Sequence, residues 1–86
     1  MGFQATNFNI GTVAALIAPA DSNPQQVLIH NNSQHTIYVG SSTVTTVTGL
    51  NILKQETEEF YLVPGDAIWA ISDGDLRDIR VLRTIK

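Results

Sequence analysis

Few residues in this chain could do chemistry, and they are poorly grouped. His30 and His35 flank a polar stretch, Asn31 to Gln34. In an antiparallel hairpin two such imidazoles come close enough to share a metal, but no third ligand stands at a useful spacing. Asp73-Gly74-Asp75 with Asp78 resembles part of a calcium loop. The glycine at the sixth position and the bidentate glutamate that close such a loop are missing, and Asp-Gly reads as a tight turn. The chain has no cysteine, which removes disulfides, thiolate zinc sites and a thiol nucleophile. Serine, histidine and aspartate all occur, but a triad is recognised by geometry and not by composition. No glycine-rich phosphate loop is present. The expectation is therefore a non-enzymatic protein with no catalytic residue, metal or cofactor. Asn31-Asn32-Ser33 fits the glycosylation acceptor pattern; with no secretory signal it reads as a turn. Met1 to Thr6 fits the loose myristoylation pattern and reads as a chance match.

The residues better suited to contact than to catalysis fall into three groups. Phe3, Phe8 and Ile10 alternate with polar neighbours near the N-terminus. They have no evident home in a small sandwich, which suggests an extended arm tied down by a neighbouring protein. Trp69 and Tyr61 stand among apolar residues. Such aromatics serve either as core or as subunit contacts, since they join a large apolar body to a polar tip. Arg77, Arg80, Arg83 and Lys86 face one acid, Asp78, in residues 76–86, whereas residues 1–75 hold one base, Lys54, against seven acids. The basic last strand reads as a solvated strand beside acidic neighbours or as an edge that docks on an acidic protein surface. The expected contact set is thus Phe3, Phe8, Ile10, Trp69, Arg77, Arg80 and Arg83.

The elements that must position these residues are short strands. Gln25 to Asn31 alternates Val27 and Ile29 against Leu28 and His30. Asn31 to Gln34 turns the chain, and His35 to Val39 returns, so these two strands are expected to form a hairpin. Gly40 to Gly49 holds six Ser and Thr residues and two valines between its glycines, an edge strand or extended loop. Leu50 to Leu53 is a brief apolar stretch. Thr57 to Val63 and Asp66 to Ser72 are strands separated by the Pro64-Gly65-Asp66 turn. Asp73-Gly74-Asp75 is the strongest hairpin signal, leading to a last strand over Arg77 to Thr84. No segment has helical periodicity, and Pro19 stops the one helix-like run, Thr12 to Ile17. The pattern predicts an all-β sandwich or barrel over residues 25–86 with residues 1–24 as the extended N-terminal arm.

Length and charge set the frame. A chain of 86 residues buries only ~60–65% of its unfolded surface, so its core is marginal and a partner is the remaining staple. Charged residues are 15% of the chain, against about 25% in typical domains, so much of the surface is uncharged and suited to coverage by another subunit. A net charge of −3 argues against a nucleic-acid partner, which favours a basic face. No run of about 20 apolar residues is present, so no membrane partner is expected.

From Val27 to Leu82 the chain resembles a family of small tailed-bacteriophage proteins that serve as capsid decoration, cement or head-fibre-base modules. The residues that carry the resemblance are Val27-Leu28-Ile29-His30-Asn31 with Ser33, Ile37-Tyr38-Val39-Gly40, Val44-Thr45-Thr46 with Thr48-Gly49, Glu56 to Leu62, Pro64-Gly65-Asp66-Ala67-Ile68-Trp69-Ala70-Ile71, and Ile79-Arg80-Val81-Leu82. The resemblance implies a jelly-roll-like domain and no enzymatic activity. It implies a homotrimer that binds the major capsid protein on the outer surface of the virion, made in the host cytoplasm, and bridges capsid subunits. The alternatives are a tail, connector or fibre-base module and a small-ligand or carbohydrate-binding β-domain.

Overall fold

The computed structural model describes residues 2–74 and 76–86, with the backbone alone at Gly2 and Phe3. Eight strands follow one another: β1 Gly2–Ile10, β2 Ala15–Ala18, β3 Gln25–Asn31, β4 Ile37–Gly40, β5 Leu50–Ile52, β6 Thr57–Leu62, β7 Ile68–Ser72 and β8 Arg77–Ile85. They form two four-stranded antiparallel sheets, ordered β1-β8-β3-β6 and β2-β7-β4-β5. The sequence expectation of an all-β sandwich is met. Strands pair from the outside inward, β1 with β8, β2 with β7, β3 with β6 and β4 with β5. The chain is in effect one long hairpin rolled into a sandwich, the eight-stranded jelly roll.

The alternation read from the sequence decides which side chains enter the core. In β3, Val27 and Ile29 are buried while Leu28 and His30 are half-exposed. In β7, Ile68 and Ala70 are buried while Trp69 and Ile71 face outward. The core joins Ile29, Ile79 and Val81 of one sheet to Ile37, Ile52 and Ala70 of the other. This interdigitation is what holds the two sheets together.

Three expectations need correction. Residues 1–24 are not an appendage. β1 pairs with β8 in unbroken register from Gly2↔Ile85 to Ile10↔Arg77, and β2 pairs with β7. Ile10, Ile17 and Ala18 lie in the core; the apolar residues that lacked a home are half of one. The division at residue 24 therefore separates no domains. Next, neither expected hairpin forms between neighbouring strands. β3 and β4 lie in different sheets, as do β7 and β8. The Asn and Asp-Gly turns reverse the chain, but they carry it across the sandwich. Last, β8 is not an edge: it is flanked by β1 and β3.

Polar residues lock the crossings. Asn31 is fully buried at the end of β3. Its Nδ2 donates to the His35 carbonyl at 2.6 Å and to the Ile52 carbonyl of β5 at 2.9 Å. Its Oδ1 accepts from the Ser33 amide and hydroxyl at 3.1 and 2.6 Å. Every polar position of this buried amide facing the chain is used, as burial demands. Ser72 does the same between β7 and β1, its hydroxyl donating to the Ile10 carbonyl at 2.9 Å. At the opposite end, Gly65 has φ +92°, which only glycine adopts without strain, and its amide donates to Asp21 at 3.0 Å.

Candidate assembly surfaces

The expected contact residues do not share one surface. Ile10 is buried in the core and Phe8 packs against it, so neither is available to a partner. The Phe3 side chain lies outside the described residues. Arg77 and Arg83 point to the sandwich side of β8, because side chains alternate along a strand. Arg83 is spent there: Nε donates to the buried Gln25 Oε1 at 2.9 Å and Nη1 to Gln4 at 3.2 Å. Arg80 is exposed on the outer face and pairs with Asp78 at 3.2 Å. Asn32 and Arg80 together hold the Asp78 carboxyl below the ordinary carboxylate range. The expected basic docking edge is thus split by the strand's own period.

The histidines do not meet as metal ligands. The His30 ring is 2.8 Å from the Thr57 hydroxyl on the outer face of the first sheet, while His35 lies in the turn before β4. Among the described residues no three His, Asp or Glu side chains are grouped to hold a metal. Asn31 of the glycosylation pattern is buried. The outer face of the first sheet carries a shallow hollow of ≈ 620 Å³, crossed by the row Asn7, Arg80, His30 and Thr57. The partner of His30 is a hydroxyl and not a carboxylate, so no base-and-orienter pair forms there.

The sheet edges are more informative. A free edge exposes unpaired amides and carbonyls, and proteins guard such edges with charge, proline, bulges or shortness. Three of the four edges here are guarded. β6 carries Glu58 and Glu59, a charge guard against a second acidic edge but not against an uncharged one. β2 has four residues, an irregular register and Pro19 beyond it. β5 has three residues. The fourth, β1, has nine residues, GFQATNFNI, with no charge, no proline and no break in register. No strand among the described residues covers its outer side. Sequence reasoning placed this segment against a partner as an added strand or extended arm; in the structure one side of its backbone pairs with β8 of the same chain and the other side is the open edge.

The second sheet adds an uncharged face. None of its strands, ALIA, LNI, IYVG and IWAIS, contains a charged residue. Trp69, expected as core or contact, points outward beside Leu16 on one side and Gly40 on the other. Ile71 and Tyr38 form the adjoining row. Depletion of charge around outward aromatics is the composition of an interface centre. Tyr61 is exposed on the β6 edge, where hydrogen bonding and charge from Glu59 raise the pKa of its phenol.

No family model and no curated protein matches the chain. Among solved structures, one described as that of Bacillus endospore appendages, a family of disulfide-linked pili, superposes with a TM-score of 0.65. It is 10% identical, and the alignment covers 98% of this chain and 85% of that one. At that identity the likeness shows the fold. It also corrects the expectation of a phage capsid decoration protein, because the structural likeness lies with a pilus protein.

Proposed function

We propose that this protein is a non-enzymatic structural subunit that joins copies of itself, edge to edge, into a pilus-like extracellular filament. The unguarded β1 edge carries this reading. A long, uncharged and unbroken edge strand is a template for another strand, and evolution removes such edges where pairing is harmful. The complement is on the same molecule. In the first sheet the strand directions alternate β1, β8, β3, β6, and the number of strands is even. A copy translated along the sheet therefore sets its β6 antiparallel to β1. This contact is heterologous, and a heterologous contact that does not close builds a filament rather than a trimer.

Charge favours the same partner. β6 carries Glu58 and Glu59, and β8, beside β1, carries Arg80 and Arg83. Two β6 edges repel each other; a β6 edge beside β1 lies about two strand spacings, roughly 10 Å, from the arginines. The link must differ from that of the disulfide-linked pili, since this chain has no cysteine. Here association rests on non-covalent contact: backbone pairing and apolar burial, steered by charge.

The test is Thr6→Lys. Thr6 pairs with Val81 on the sandwich side of β1 and is exposed at the edge. A lysine there must cross the edge to reach water and blocks an added strand while leaving β1–β8 pairing intact. Electron microscopy of concentrated protein is expected to show filaments for the parent and dispersed monomers for Thr6→Lys. A parent that stays monomeric at millimolar concentration overturns the reading.

A further inference from the structure

The two most exposed large apolar side chains of the described residues sit at opposite corners of the second sheet. Val47 is 90% exposed in the loop between β4 and β5, and Val13 is 79% exposed in the loop between β1 and β2. A valine held so far into water calls for an explanation in the loop that holds it. The Ser41–Gly49 loop contains no charged residue and is tied to itself. Thr45 Oγ1 accepts from the Val47 and Thr48 amides at 3.2 and 3.1 Å, and the Gly49 amide donates to the Thr45 carbonyl at 2.9 Å. Val44 is buried as a plug: a Cβ at Gly40 would stand 3.0 Å from Val44 Cγ2, and one at Gly49 only 2.9 Å from it. The loop is therefore preorganised, and Val47 is presented on it without a contact of its own.

An apolar notch lies at the other corner. Gly11 to Ala15, with Gly74 and Leu76, surround a notch of ≈ 620 Å³ whose apolar walls are Val13, Ala14, Ala15 and the 68% exposed Leu76. The notch lies at the β2 edge, at the end of the sheet where Ala15 pairs with Ala70. The valine loop lies at the β4–β5 edge and leaves from the end where Gly40 pairs with Trp69. About three strand spacings and a four-residue strand separate them, roughly 20 Å on the diagonal, so the two cannot meet within one chain.

We infer that Val47 of one copy seats in the Val13–Leu76 notch of the next. The inference rests on the proposed filament and names a second contact within it. Both contacts call for the same neighbour. The edge strands β1 and β2 lie on one side of the sandwich, since each packs against the second strand of the facing sheet. A copy that adds its β6 to β1 therefore approaches from the side of the notch, leading with its own β5–β6 side. Its valine loop lies at the other end of the strands, so the copy must also slide by about four residues, roughly 13 Å, to bring Val47 level with the notch, and the nine-residue β1 still faces most of β6 after that slide. A single loop in a single notch covers much less than the roughly 800 Å² per partner of a stable pair. Alone it holds no dimer; beside the edge pairing it adds by effective concentration and sets the stagger between copies. A preorganised knob costs little entropy to dock.

The chain lacks cysteine, so introduced thiols report unambiguously. Val47→Cys and Leu76→Cys are prepared as separate full-length variants, mixed under filament-forming conditions and treated with a short bis-maleimide. The expected product is a 47–76 heterodimer, at least tenfold in excess over 47–47 and 76–76 dimers from each variant alone, and lost when both carry Thr6→Lys. Filaments without excess 47–76 product overturn the knob-and-notch contact and leave the proposed function standing. Absence of filaments in the unlabelled parent overturns both.

Discussion

At the scale of single residues, a few buried polar side chains, Gln25, Asn31 and Ser72, fasten the sandwich beside its apolar core. Asn31 fastens β3 of one sheet to β5 of the other through a fully satisfied amide. Asn31→Ala leaves the Ile52 and His35 carbonyls without donors in the interior, which costs about 2–3 kcal/mol. Urea titration followed by Trp69 fluorescence is the measurement, and a loss under 0.5 kcal/mol would show that water replaces the amide. Asp78 makes a second prediction. Hydrogen bonds from Asn32 and then Arg80 depress its folded pKa below the ordinary 3.8. A depressed carboxylate contributes stability that is complete above the unfolded pKa and is lost as pH falls through the folded one. Asp78→Asn should therefore flatten the acid limb of the stability profile below about pH 4 and leave the slope near neutrality unchanged. A variant profile parallel to that of the parent throughout would rule out Asp78 as a source of the acid sensitivity.

At the scale of elements, the valine loop and the β1 strand are the informative pieces. Gly49 lies so close to its surroundings that an added Cβ would stand 2.7 Å from Tyr38 Cβ and 3.0 Å from the Thr45 carbonyl. Neither obstacle is the end of a flexible chain. Gly49→Ala is expected to cost about 1–3 kcal/mol through overpacking and to loosen the Val44 plug. Faster amide exchange confined to residues 41–49 would mark the loosening; parent-like exchange would show that the loop is not clamped at this glycine. β1 is structural and adhesive at once: one side of its backbone completes the first sheet and the other is free for a neighbour.

At the scale of the molecule, nested pairing makes the chain all-or-none. The outermost pair, β1 with β8, joins the two ends of the sequence. Removing residues 1–23 takes Ile10, Ile17 and Ala18 from the core and is expected to abolish cooperative folding, seen as loss of the thermal transition in circular dichroism. Retention of the transition would restore the arm that the sequence suggested. Assembly, in turn, is steered by the acidic β6 edge and the basic β8 strand. Its initial rate should fall severalfold between low salt and 0.5 M salt, where the screening length drops to a few ångströms. Light scattering after dilution into each salt measures it, and a salt-independent rate would place the driving force in apolar contact alone.

The sequence by itself determined the class of fold, most strand positions and the faces of the long strands, because alternation with a period of two is a local property of residues such as Val27, Ile29, Ile68 and Ala70. It determined that neither disulfide nor thiolate metal could staple the chain, since no cysteine is there. It marked Trp69 without deciding its side. Only the tertiary structure decided partners. Asn31–Asn32 and Asp73–Gly74 specify that the chain turns, not whether the next strand pairs with the last or crosses to the other sheet; that choice lies in contacts between residues as distant as Gly2 and Ile85. The same holds for the contact surfaces. Phe8 and Ile10 look adhesive until β8 and β7 enclose them, and Arg77, Arg80 and Arg83 look like one patch until the strand sends them to opposite faces. Val47 gave no local signal at all, because its exposure is set by the plug beneath it and not by its own neighbours in sequence.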